Sequence, residues 1–331
     1  MNEQIVIFTP VLNKTGFMEK CRKVYTLGET VFDLLFTNMQ PIKGVPGGAT
    51  LNSSITLGRL GVPVFFVSEF GEDLAGNFIA DFLKKNLVDT RYVYRYADGA
   101  TTLAIASLDE TRNATYNFYK IQPAEHLQIS PPPIEKDDIV LYGSFFSISP
   151  VLRDKVSEIL QSARSRGALL VYDPNFRKAH EKEMEVLRPM IFENMQWAHI
   201  IRGSDEDFFN ILKTRSPEET WEKLPHRDNC LVYTASKEVV TWINKTTRGS
   251  APSKNLVPLS TIGAGDTFNA GLVYSLLQQN ITPENLEKIT SQQWKELVLT
   301  GIELASEVCL SYDNYISENF AHSWRNRSPE D

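Results

Sequence analysis

From Ile139 to Ile201 the chain alternates short apolar runs with helical patterns, and this alternation restricts the fold more than any other feature. Strands are predicted at Ile139–Tyr142, Ala168–Tyr172 and Ala198–Ile201, with one helix ending near Arg166 and another around Glu183–Asn194. Strands that alternate with helices imply a parallel sheet covered by helices. The earlier part extends the series. Lys23–Leu27 reads as a strand, Val31–Phe36 as another, and Gln40–Gly48, rich in Pro and Gly, as a loop or lid segment. A helix over Ala49–Leu60, a strand at Val64–Ser68 and a helix over Ala75–Asn86 follow. Tyr92–Tyr96, Thr102–Leu108 and Ala114–Tyr119 are aromatic or β-branched runs separated by turn residues, and they predict a small antiparallel sheet inserted in the α/β series. Cys230–Thr234 and Val239–Ile243 read as a hairpin near the sheet edge, Ile5–Phe8 as an edge strand, and Arg325–Asp331 as a frayed tail.

A chain of 331 residues can bury one large core, and its 42% hydrophobic and 23% charged content is that of an ordinary soluble protein. We expect a single domain over 1–331, with the small sheet as a lid drawn from about 34–46 and 91–120. A net charge of −7 argues against a nucleic-acid or anionic-membrane surface. Cys21, Cys230 and Cys309 are scattered, which suggests reduced thiols and no metal framework. The start lacks a basic n-region, and no apolar run approaches the roughly 18 residues of a membrane span. A cytoplasmic protein is expected.

The stretch Ser260–Gly271 carries the strongest chemical signal. An extended run, Asn255–Leu259, enters a turn with Gly263 and Gly265, and Phe268, Leu272, Val273, Leu276 and Leu277 recur at helical spacing. Glycines there let a ligand approach the backbone, and the first-turn N–H groups of a helix suit an anion. Asp266 then stands at the mouth of an anion site. The same residues also fit a tight turn whose Asp caps the helix.

The stretch resembles the C-terminal signature of the ribokinase-like carbohydrate kinases, Asp-Thr-x-Gly-Ala-Gly-Asp-x-Phe-x-x-Gly, with Ser260 in place of the first Asp. Pro46-Gly47-Gly48-Ala49-Thr50-Leu51-Asn52 resembles the same family's N-terminal Gly-Gly-x-x-x-Asn, and Asp173-Pro174-Asn175-Phe176-Arg177 resembles the Asp-Pro-Asn-x-Arg of fructokinase-like members. The likeness runs from about Val24 to Leu310. It implies a three-layer α/β/α core with a mostly parallel sheet and a β-sheet lid. It also implies an ATP-dependent sugar kinase, closest to fructokinases, with Mg2+ bridging the β- and γ-phosphates.

On that resemblance Asp266 is the base, the amides of Gly263, Ala264 and Gly265 form the anion hole, and Asp33, Gly47, Gly48, Asn52 and Arg177 bind the sugar. An aspartate of ordinary pKa, about 4, cannot deprotonate a free alcohol beforehand, so Asp266 is expected mainly to orient the hydroxyl. Ser204, Thr234 and Ser236 are assigned to the nucleotide, and Asp207, standing where the family has Glu, to Mg2+ through water. Thr234-Ala235-Ser236-Lys237-Glu238-Val239 lacks both glycines of the family's Thr-x-Gly-x-x-Gly loop. Ser260 lacks the carboxylate that helps hold K+ in many members, so any K+ site is expected to be weak. A homodimer through the lid is a further implication. Other acceptors (ribose, 2-keto-3-deoxygluconate, a nucleoside) and a catalytically weak sensing paralogue remain as alternatives.

Overall fold

The computed structural model describes residues 21–37, 39–108, 114–235 and 239–327; the expected strand Ile5–Phe8 and the nucleotide residue Ser236 lie outside them. In chain order the strands are β1 (Val24–Leu27), β2 (Val31–Thr37), β3 (Gln40–Gly47), β4 (Val64–Gly71), β5 (Val88–Tyr96), β6 (Ala100–Leu108) and β7 (Ala114–Ile121). They continue as β8 (Ile139–Gly143), β9 (Leu169–Asp173), β10 (Ile200–Ser204), β11 (Cys230–Ala235), β12 (Val239–Ile243) and β13 (Arg248–Pro252). The helices are α1 (Ala49–Arg59), α2 (Leu74–Lys85), α3 (Arg153–Ser165), α4 (Met184–Trp197), α5 (Asp205–Leu212), α6 (Pro217–Lys223), α7 (Ala264–Gln278), α8 (Ser291–Cys309) and α9 (Glu318–Arg325).

The main sheet has the order β13-β12-β11-β10-β9-β8-β1-β4-β5. Its strands run parallel from β11 to β5, and β12 and β13 close one edge as antiparallel strands. Both faces are buried, as the apolar runs require. In β9, Leu169 and Val171 join one core cluster with residues of α1, α2, α7 and α8, while Leu170 and Tyr172 join a second with residues of α3, α4 and α5. Period-two alternation thus divides each strand between two helical layers.

The smaller sheet has the order β3-β2-β6-β7. It departs from the expected one in three ways. Gln40–Gly47 is a strand, not a loop; it pairs with β2 on an edge, where Pro41 and Pro46 remove no interior ladder bond. Tyr92–Tyr96 belongs to β5 of the main sheet, because α2 carries the chain from β4 across to a parallel neighbour. The small sheet is also mixed: β2 and β6 are parallel, whereas β2–β3 and β6–β7 are antiparallel. The run Asn255–Leu259 forms no strand, and β13 precedes it instead.

Candidate active site

Gly263 ends the approach to α7 in the left-handed region at φ 78°, and a Cβ there would lie 2.3 Å from the Asn314 carbonyl oxygen. Only glycine fits both restraints. The helix has no side-chain cap. The Ala264 amide donates to the Thr261 carbonyl at 3.3 Å, while no acceptor among the described residues takes the amides of Gly265 or Asp266. These two N–H groups, at the positive end of a 15-residue helix, are therefore available to an anion.

Asp266 is fixed by the neighbouring helix. Asn52 Nδ2 donates to its Oδ2 at 2.8 Å, and the Ser53 hydroxyl donates to its backbone carbonyl at 2.7 Å. Burial pushes its pKa up to about 7, against the Asn52 hydrogen bond and the Arg177 charge, which lower it; Asp173 adds to the rise and Arg202 opposes it. Asp266 is thus a stronger base than an ordinary aspartate.

Gly47, Gly48 and Asn52, expected at the sugar, gather with Asp33 at the start of α1. Gly48 caps that helix at φ 133°, and a Cβ there would meet the Glu29 carbonyl oxygen at 2.3 Å. Gly47 lies against Asp33: a Cβ on Gly47 would sit 2.4 Å from Asp33 Oδ2. Burial raises the Asp33 pKa to about 6, and among the described residues no donor satisfies its carboxylate. Since the Asn52 amide bonds back to Gly48, one helical turn connects the Asp33 corner to Asp266. Glu29 is held separately, by the Ser144 hydroxyl at 2.5 Å and the Phe146 amide at 2.9 Å. Arg177 is exposed on the loop that follows β9.

The residues expected at the nucleotide and metal also hold local structure together. Ser204 caps α5, accepting from the Asp207 amide, and Asp207 Oδ2 accepts from the Ser204 amide and hydroxyl. Asp207 Oδ1 accepts from the Phe176 amide at 2.6 Å. Both oxygens of Asp207 accept from protein donors, so it ties α5 to the loop after β9. The Thr234 hydroxyl donates to the Gly203 carbonyl and accepts from Arg202. Sequence reasoning missed Arg202 and Asn269, which both donate to Asp173 Oδ2. The available signal for Arg202 was a guanidinium inside the apolar run of β10.

Residues 22–319 match the sequence pattern described as pfkB family carbohydrate kinase. The chain belongs to this family. It is a sugar kinase, a phosphotransferase. It is 30% identical over 248 residues to probable fructokinase-3 of Arabidopsis thaliana, covering 73% of this chain and 70% of that one. It is 27% identical over 269 residues to a fructokinase of Klebsiella pneumoniae (80% and 87%). Its fold is that of a fructokinase from Vibrio cholerae O395 in its fructose, ADP and calcium ion bound form (TM-score 0.78, 19% identity, 92% and 99% covered). An aminoimidazole riboside kinase from Salmonella enterica, complexed with aminoimidazole riboside and an ATP analogue, shares it too (TM-score 0.76, 17% identity, 92% and 100%). The ribokinase-like α/β architecture expected from the motifs is therefore established. Among the described residues, no helix of this kinase is long and apolar enough to cross a membrane.

Proposed function

We propose that this kinase transfers the γ-phosphoryl group of ATP to a hydroxyl of fructose. One observation carries the reading: a carboxylate with a pKa of about 7 stands in the first turn of α7, oriented by Asn52 and next to amides available to an anion. The relatives' names favour fructose as acceptor. In the transfer, the sugar oxygen bonds to the γ-phosphorus, the bond from that phosphorus to the β,γ-bridging oxygen breaks, and ADP leaves. The hydroxyl proton passes to Asp266. Because Asp266 remains far less basic than an alkoxide, the proton moves late, as suits a loose phosphoryl transition state. The Gly265 and Asp266 amides stabilise charge on the transferring group. Asp33, which has no donor among the described residues, accepts from sugar hydroxyls, and Gly47 and Gly48 let the sugar approach the backbone.

Mg2+ fits as an ion carried largely by phosphate oxygens and water, where it would neutralise phosphate charge; among the described residues no group of three or more His, Cys, Asp or Glu side chains is arranged to cage a metal. Ser260 accepts from the Ile262 amide and lends no carboxylate to a K+ site. The exposed Met39, Ile42, Phe118 and Ile121 of the small sheet support pairing of two subunits through this lid. Use of ATP fits a cytoplasmic enzyme.

The test is ADP release from ATP with fructose, ribose, 2-keto-3-deoxygluconate and nucleosides in turn. Fructose is expected to give the highest kcat/KM. Nucleotide binding without turnover of any acceptor would refute the assignment and favour a sensing paralogue.

A further inference from the structure

Strand β10 reads Ile-Ile-Arg-Gly-Ser, an apolar run interrupted by one guanidinium. Arg202 is 8% exposed. Its Nη1 donates to Asp173 Oδ2 at 2.8 Å and its Nη2 to Thr234 Oγ1 at 3.0 Å, while its Nε has no partner among the described residues. The guanidinium carbon lies 5.3 Å from the ring centre of Phe268. A Cβ on Gly265 would be 3.0 Å from Nη1 and 3.4 Å from Nη2, so the cation borders the first turn of α7 at the amides available to an anion. It reaches that helix a second time through Asp173, whose Oδ2 also accepts from Asn269 Nδ2 at 2.6 Å.

Stability alone is a poor reason for this arrangement, because desolvation offsets most of what a buried ion pair gains. A fixed cation beneath an amide nest has a clearer use: in a water-poor site, preorganised positive charge stabilises negative charge that develops during reaction. We propose that Arg202 is a positioning residue for phosphoryl transfer, holding the Gly265 turn in place from below and supplying the site with positive charge that acts mainly in the transition state. The proposal rests on the reading of Gly263–Asp266 as the phosphoryl-transfer centre.

Arg202→Lys keeps the charge and loses the fork; Arg202→Gln keeps hydrogen-bond donors and loses the charge. With fructose and ATP, Arg202→Gln is expected to lower kcat at least tenfold with both KM values within about threefold of wild type. Arg202→Lys should retain at least a third of wild-type kcat. In the Gln variant the acid limb of kcat/KM should also move to higher pH, since Arg202 is one of the charges that lowers the Asp266 pKa; in the Lys variant it should stay. Equal kcat losses in both variants, or a Gln variant within threefold of wild type, would overturn the proposal. Should Arg202→Gln not fold, Arg202→Gln/Asp173→Asn leaves no unpaired buried charge, and recovery of kcat to within threefold of wild type would overturn the idea equally. A binding readout separates this failure from that of the functional reading. ADP with aluminium fluoride, a mimic of the transferring group, should bind the Gln variant at least tenfold more weakly, while ADP alone changes less than threefold. Equal changes for both ligands would sink the proposal even if no sugar is turned over.

Discussion

Asp266→Asn should destroy turnover and, above neutral pH, make the protein more stable. The folded-state pKa of about 7 lies above the ordinary 3.8, so the fold favours the protonated carboxyl. That favourable contribution is complete below pH 3.8 and lost as pH rises through about 7. At 1.36 kcal/mol per tenfold, the full displacement corresponds to roughly 4 kcal/mol as an upper bound. Asp266 is half-buried in the folded chain, and solvent screening reduces this to about 1–2 kcal/mol. Asparagine cannot ionise, yet its Oδ1 can still accept from Asn52. Its thermal midpoint should therefore match wild type at pH 4 and exceed it by about 1–3 °C at pH 8.5, at constant ionic strength. Loss of a general base should lower kcat by roughly 100-fold or more. Circular-dichroism melts from pH 4 to 8.5, paired with kcat at pH 8, test both halves. A midpoint difference that does not change with pH would refute the burial argument. A variant keeping more than about a tenth of wild-type kcat would refute the base assignment.

In wild type, kcat/KM should fall as pH drops below about 7, when Asp266 takes up a proton, and more steeply below about 6, when Asp33 does; a profile flat from pH 5.5 to 8.5 would contradict both assignments. Asp33→Ala should weaken fructose binding by roughly 1.5–3 kcal/mol in calorimetry while ADP affinity stays within a few fold, and an unchanged fructose affinity would remove Asp33 from the sugar site. Exchanging Na+ for K+ at fixed ionic strength should change the wild-type rate by less than about twofold, under half a kcal/mol of barrier, whereas Ser260→Asp should increase K+ dependence. Tenfold activation of the wild type by K+ would show that the site is built without the acid.

The parallel core could be read from sequence because its strands are buried on both faces, as in Leu169–Asp173, and helices such as α2 bury one periodic face, Gly76, Ile79, Ala80 and Leu83. The smaller sheet was harder. Pro41 and Pro46 disguised β3, since an edge strand tolerates residues that elsewhere break the ladder. Tyr92–Tyr96 has strand character, but strand character alone does not name the sheet. Gly47, Gly48 and Asn52 came from the family resemblance rather than from a physical reading of the residues; the structure adds the reason for two of the glycines, since a Cβ on Gly263 or Gly48 would lie 2.3 Å from a backbone oxygen. What could not be read was how charges combine across the chain. Asp173, Arg202 and Asn269 come from β9, β10 and α7, and only folding brings them together. The second role of Asp207 was hidden for the same reason: its oxygens close a capping box and accept from the Phe176 amide, which links α5 to the loop after β9.

The position of Asp266 makes these distant charges matter. A carboxylate buried without compensation would stay protonated at neutral pH and could accept nothing. One paired too well would return to the ordinary range and lose basicity. Here burial raises the pKa, while the Asn52 amide and the Arg177 and Arg202 guanidinium groups hold the rise to about 7. Asp173 acts on both sides of that balance: its own charge raises the Asp266 pKa, yet it also pairs with Arg202 beneath Gly265. The ion pair keeps a cation next to the Gly265 turn without leaving a lone buried charge. An apolar pair of similar size could fill that space with no loss of stability, but it would remove the positive charge beside the Gly265 turn. On the role proposed for Arg202, the network serves the reaction rather than the fold.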